Sequence, residues 1–175
     1  MATAVVVYES MFGDAEKIAR AVAQGLSEHL DVDVVAAHDA PQDLGPGVRL
    51  LVVGGPNHVT GMPRPSTRAG AVKDGAQLTD TTTGLHEWLD RAHPLGGLSA
   101  AAFDTRMDHP KLLTKLDHAS HTEEKLLHKL GATLAAPAEH FFVRDEKGPL
   151  VDGEEDRARQ WGAALSEIVT AGSRR

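Results

Sequence analysis

The sequence predicts an α/β protein built on a doubly wound, five-stranded parallel sheet with helices on both faces. Two observations carry this expectation. Short continuous runs of Val and Leu, the pattern of strands buried on both faces, alternate with stretches whose apolar residues recur at helical spacing. In 175 residues, 41% are hydrophobic and 25% charged, enough apolar surface for a core and too much for a disordered chain.

Ala4-Val5-Val6-Val7-Tyr8 reads as a central strand followed by a polar, Gly-containing turn. From Asp14, residues Ala15, Ile18, Ala19, Val22 and Leu26 form one helical stripe. Val32 to Val35 is the second strand and Leu50 to Val53 the third, ending at Gly54-Gly55-Pro56. Thr60 to Gly84 is polar and rich in Pro, Gly and Thr; at that length it is expected to be a mobile excursion. Leu85 to Arg91 is the next helix, Leu98 to Phe103 the fourth strand, and Thr122 to Leu130 a helix closed by Gly131. Thr133-Leu134 and Phe141-Phe142-Val143 read as two pieces of a last strand interrupted at Ala136-Pro137-Ala138, since proline cannot donate to an interior ladder. Glu154, Glu155 and Asp156 open the final helix, whose stripe is Ala158, Trp161, Leu165, Ile168 and Val169. Residues 1–172 are expected to form one domain, with 173–175 as a short tail.

Charge and composition exclude several functions. Eighteen Lys and Arg against 25 Asp and Glu give a net charge of −7, which removes the electrostatic drive for binding nucleic acid. Cysteine is absent, so no disulfide framework, thiolate metal site or Cys nucleophile exists, and redox chemistry must come from a cofactor. No run approaches the ~20 apolar residues of a membrane helix, and the start Met1-Ala2-Thr3 does not resemble an export signal, so a soluble cytoplasmic protein is expected. The phosphate motifs GxxxxGK[ST] and GxGxxG are missing, as is the GxSxG nucleophile elbow. His121, Glu124 and His128 share a helix face with His118 just before it, but positions seven apart lie ~10 Å apart along a helix and cannot meet one ion. That face is expected to be solvated, with no metal and no catalytic acid, base or nucleophile.

In a doubly wound sheet ligands sit beyond the carboxyl ends of the strands. The candidate site is therefore three loops, Glu9 to Ala15, Gly54 to Pro65 and Asp104 to Pro110. In the first, Ser10 and Gly13 lead into a helix N-terminus whose backbone N–H groups favour a phosphate.

Tyr8-Glu9-Ser10-Met11-Phe12-Gly13 resembles the phosphate loop of the flavodoxin family. Val53 to His58, Met62 to Arg68, Phe103-Asp104-Thr105-Arg106, Phe141-Phe142-Val143 and Lys147 to Leu150 extend the resemblance over nearly the whole chain, towards flavodoxin-like proteins of high-GC bacteria. The resemblance implies a flavodoxin-like strand order 2-1-3-4-5 and one flavin mononucleotide (FMN). It places the phosphate against Glu9, Ser10, Met11, Phe12, Gly13, Asp14 and Ala15, and the ribityl chain and ring between Pro56, Asn57 and His58 and the loop Phe103, Asp104, Thr105 and Arg106. Asp14 and Ala15 depart from the family's Asn and Thr. A lost hydrogen bond to a charged group costs roughly 1.5–3 kcal/mol, so weakened FMN affinity is expected. The loops also lack the aromatic residues that usually bracket the ring: Tyr8, Trp88, Phe103, Phe141, Phe142 and Trp161 fall on expected core elements, leaving Phe12 in a loop and His58 or Met62 to cover the flavin.

Three functions follow from the resemblance: an electron carrier that docks a redox partner with a basic surface; an FMN-dependent NAD(P)H:quinone-type reductase using Arg64, Arg68 and Arg106 on an anionic substrate; or a binding module that has lost flavin. Neither nucleic acid nor membrane is an expected partner.

Overall fold

The computed structural model describes residues 3–57, 61–108 and 119–172, with the backbone alone at 119–121. Its elements in chain order are β1 (Ala4–Tyr8), α1 (Asp14–Leu26), β2 (Val32–Ala36), β3 (Leu50–Pro56), α2 (Pro65–Lys73), α3 (Leu85–Arg91), β4 (Ser99–Met107), α4 (Ala119–Lys129), β5 (Thr133–Leu134), β6 (Glu139–Val143) and α5 (Glu154–Gly172). The strands pair in parallel in the order β2-β1-β3-β4-β5. The last position is shared: β5 pairs the start of β4 through Ser99 and Ala100, and β6 pairs its end from Phe103 to Met107. Pro137 lies between the two pieces, at the interruption the sequence implies.

Alternation along the strands divides the core into two layers. Val6, Leu50, Val52, Ala101 and Phe103 face α1 and α5, while Val5, Val7, Leu51, Val53, Ala100 and Ala102 face α3 and α4. On the first side α1 and α5 approach closely, because a methyl at Gly25 or Gly162 would strike the other helix's backbone. Gly131 adopts φ +91°, the left-handed C-terminal turn expected after α4.

Two expectations need correction. The Thr60 to Gly84 stretch is not all loop: α2 occupies Pro65–Lys73, and Thr67 Oγ1 accepts the Arg64 N–H at 2.8 Å to start it. Asp104, Thr105 and Arg106 are not in a loop either, since β4 continues to Met107 and all three are buried. The ladder persists because β6 supplies a partner for this half of the strand and each buried charge finds a counter-charge.

Candidate functional site

The β1–α1 loop is shaped by Ser10 and Gly13. Ser10 Oγ accepts the Gly13 N–H at 3.1 Å, and Gly13 takes φ +98°, where side-chain-bearing residues are strained. Gly13 is the N-cap of α1 and no side chain caps the helix, which leaves its first-turn N–H groups without a capping acceptor, the arrangement that favours an anion at a helix N-terminus. Asp14 and Glu16 stand in that first turn. The Asp14 carboxylate is packed against Gly148, bonded by the Leu150 N–H, and 3.7 Å from Lys17 Nζ. Burial raises its pKa despite Lys17. Ala15 is buried.

The loop has supports that the sequence did not reveal. Met11 is buried with Ala71 and Ala76, and Phe12 and Leu78 pack beside them, so the chain beyond Arg68 rests directly on the candidate phosphate loop. Lys147 Nζ donates to the Asp74 carbonyl at 2.8 Å and lies 5.8 Å from the Phe12 ring centre, closing the other side. The apolar pair Met11-Phe12 in an otherwise polar loop was the one available signal.

The Glu9 carboxylate is engaged in an internal ion pair. Arg68, 1% exposed, donates to Glu9 Oε1 at 2.5 Å, to Glu87 Oε2 at 2.7 Å and to the Pro63 carbonyl at 3.1 Å. Glu9 Oε2 also takes the Leu85 N–H at 2.8 Å, and Glu87 takes the Gly84 N–H at 2.9 Å, so one arginine joins β1, α2 and α3. Burial opposes the charge on Glu87, but hydrogen bonds from Arg68 and Gly84 hold its carboxyl below the ordinary range.

At the end of β3 the Asn57 N–H donates to the Thr105 carbonyl at 2.8 Å, extending the ladder past Pro56. His58 lies outside the described residues, as does the chain from 109 to 118. Arg106 binds Asp104 with two nitrogens, at 2.8 and 2.5 Å, and His140 Nδ1 lies 3.2 Å from both Asp104 oxygens. Arg68 and Arg106 are thus both engaged in internal ion pairs. Trp88, Phe103 and Phe141 are buried as expected, with Trp161 edge-on to Phe141 at 6.1 Å. Phe142 is half-buried, 5.9 Å from the Arg157 guanidinium. Met62 is buried in the α3/α4 layer rather than displayed in a loop. Glu124 uses Oε1 to bind the Ala138 N–H at 2.7 Å, linking α4 to the interruption between β5 and β6.

Ser10, the Gly13 turn and an α1 N-terminus without a side-chain cap stand together at the β1/β3 switch point of the strand order, where helix N-terminal N–H groups can receive an anion. The family model for flavodoxin matches residues 6–103, more than half of the chain. No curated protein sequence matches. Among solved structures, a flavodoxin from the domain Archaea aligns with a TM-score of 0.64 at 18% identity, covering 95% of this chain and 98% of the other. Oxidised flavodoxin 1 from Bacillus cereus gives 0.64 at 17% identity, covering 94% and 97%. Rubredoxin oxygen:oxidoreductase from Desulfovibrio gigas gives 0.62 at 14% identity, covering 96% of this chain but 36% of that enzyme. At these identities the likeness is one of fold.

Proposed function

The chain belongs to the flavodoxin family, and from that premise we propose that it binds one FMN at the carboxyl ends of β1, β3 and β4 and carries electrons between a reductase and an acceptor protein. The observation that supports this best is the uncapped N-terminus of α1 behind the Ser10–Gly13 turn. Ser10, the backbone of Met11 to Gly13 and the N–H groups of Asp14 and Ala15 would hold the phosphate, and Pro56, Asn57 and His58 would border the ribityl chain and ring. When bound, the flavin supplies reversible electron uptake; the chain binds it, orients it and sets the surrounding charge.

The net charge of −7 works in two ways under this proposal. It disfavours added negative charge at the site, and it steers the chain towards a partner with a basic docking surface. A carrier is favoured over a quinone-type reductase because Arg68 and Arg106, two of the three arginines available to an anionic substrate, are already bound to Glu9, Glu87 and Asp104.

The test is the visible spectrum after soaking with FMN, followed by electron transfer to cytochrome c with a competent NADPH-dependent reductase. The expected result is a yellow protein that passes electrons only when the reductase is present. Steady NAD(P)H oxidation by the chain alone would identify a reductase, and a colourless chain a flavin-free module.

A further inference from the structure

Three positions lie side by side on the α3/α4 face of the sheet. Gly55 is in register with Asp104, and the Glu9 N–H donates to the Gly54 carbonyl at 2.9 Å. A methyl on Gly55 would lie 3.4 Å from Glu9 Cβ and 3.9 Å from Leu85 Cδ2, so Glu9 and α3 stand on the side to which Gly55 turns. Helix α4 covers the same face, with Leu127 buried among Leu85, Trp88 and Leu89. Glu123, one turn before Leu127, shares that side of the helix.

Glu123 is 2% exposed and its Oε2 has no hydrogen-bond partner among the described residues. The nearby carboxylates have their own cations, Arg68 for Glu9 and Arg106 for Asp104. Burial, then the charges of Asp104 and Glu9, push the Glu123 carboxyl well above its ordinary range, against Arg106 and with a further contribution from Glu124. His140 faces Asp104 from β6. An unpaired carboxylate in such a place is strongly disfavoured, whereas the neutral acid is tolerated.

We propose that Glu123 is a proton-holding residue of the cofactor site, kept as the neutral acid beneath the carboxyl ends of β1, β3 and β4, with its ionisation coupled to negative charge placed there. The identity of that charge rests on the flavin proposal. Where Glu123 is partly ionised, one electron passed from a redox partner, which is oxidised, to FMN held at this site, which is reduced, would favour the return of one proton from solvent to a Glu123 carboxylate oxygen. The negative charge gathered at this end of the sheet is thereby limited.

The test is a ¹³C NMR titration of the glutamate carboxyls in the flavin-free chain, with Glu123 identified by the signal missing from Glu123→Gln. The Glu123 carboxyl should stay protonated through the range in which the other glutamates ionise. Its midpoint should move up in Asn57→Asp, which adds a carboxylate at the end of β3, and again on saturation with FMN. Ionisation alongside the other glutamates, or a midpoint that Asn57→Asp does not move, overturns the proposal. If FMN does not bind, the flavin proposal fails, and the two flavin-free measurements still decide the role of Glu123. Folding gives a second readout. A raised acid stabilises the fold below its unfolded pKa and loses that contribution as pH rises through the folded one. Wild-type stability should therefore fall with rising pH relative to Glu123→Gln, and parallel curves count against the proposal.

Discussion

The two faces of the sheet begin alike and end differently. On the α1/α5 side the apolar layer runs to the carboxyl end, where Phe103, Phe141 and Trp161 meet edge to face at 6.1 Å. On the α3/α4 side Val5 and Val7 give way to Glu9, and Ala100 and Ala102 to Asp104 and Arg106, so the layer becomes a buried charge network. Adjacent glycines on β3 serve the two sides. A methyl at Gly54 would be driven into the Phe103 ring, whereas one at Gly55 would make ordinary contact with Glu9. One face closes the core and the other builds the floor of the candidate site.

Breaking the charged face should cost most. Arg68→Met leaves Glu9 buried without its cation and should cost about 3–5 kcal/mol, measured by urea denaturation; a loss below about 1 kcal/mol would show that the node is not a stabilising unit. Next comes the glycine pair: Gly54→Ala should cost about 1–3 kcal/mol by overpacking, and Phe103→Leu in the same chain should recover part of it. Gly55→Ala, on the side with room, should cost less than Gly54→Ala, and equal costs would erase the distinction between the faces.

Smaller effects probe the loop and the acid limit. Ser10→Ala should weaken FMN binding about tenfold by fluorescence titration, through loss of one hydrogen bond near the phosphate. The depressed pKa of Glu87 contributes stability above its unfolded value of 4.5, which is lost as pH falls. Glu87→Gln should therefore flatten the acid limb of the stability curve, and an unchanged limb would remove Glu87 from the node. Asp14→Asn should tighten FMN binding by less than tenfold, because that carboxylate is turned to Gly148 and Leu150 rather than left free in the loop.

The strands and most helices were legible because their signals are local: the apolar run from Ala4 to Tyr8, the stripe from Ala15 to Leu26, and the proline that splits the last strand. Helix α2 was not, because its buried positions are Arg68 and Ala71, and an arginine does not register as part of an apolar stripe. Asp104-Thr105-Arg106 looked like a loop because buried charges are rare unless paired. Here Asp104 and Arg106 pair two residues apart on one strand face, and His140 joins from β6, one residue before the part of that strand that the sequence marked. Glu9 and Arg68 are 59 residues apart, so their bond is invisible in a single sequence.

The central claim, that the uncapped α1 N-terminus receives the phosphate of a flavin, is tested most directly by titrating the same protein with FMN and with riboflavin while following flavin fluorescence. One FMN per chain should bind, and riboflavin, which lacks the phosphate, should bind more weakly. Equal affinities for the two, or undiminished FMN fluorescence at excess protein, would contradict the account.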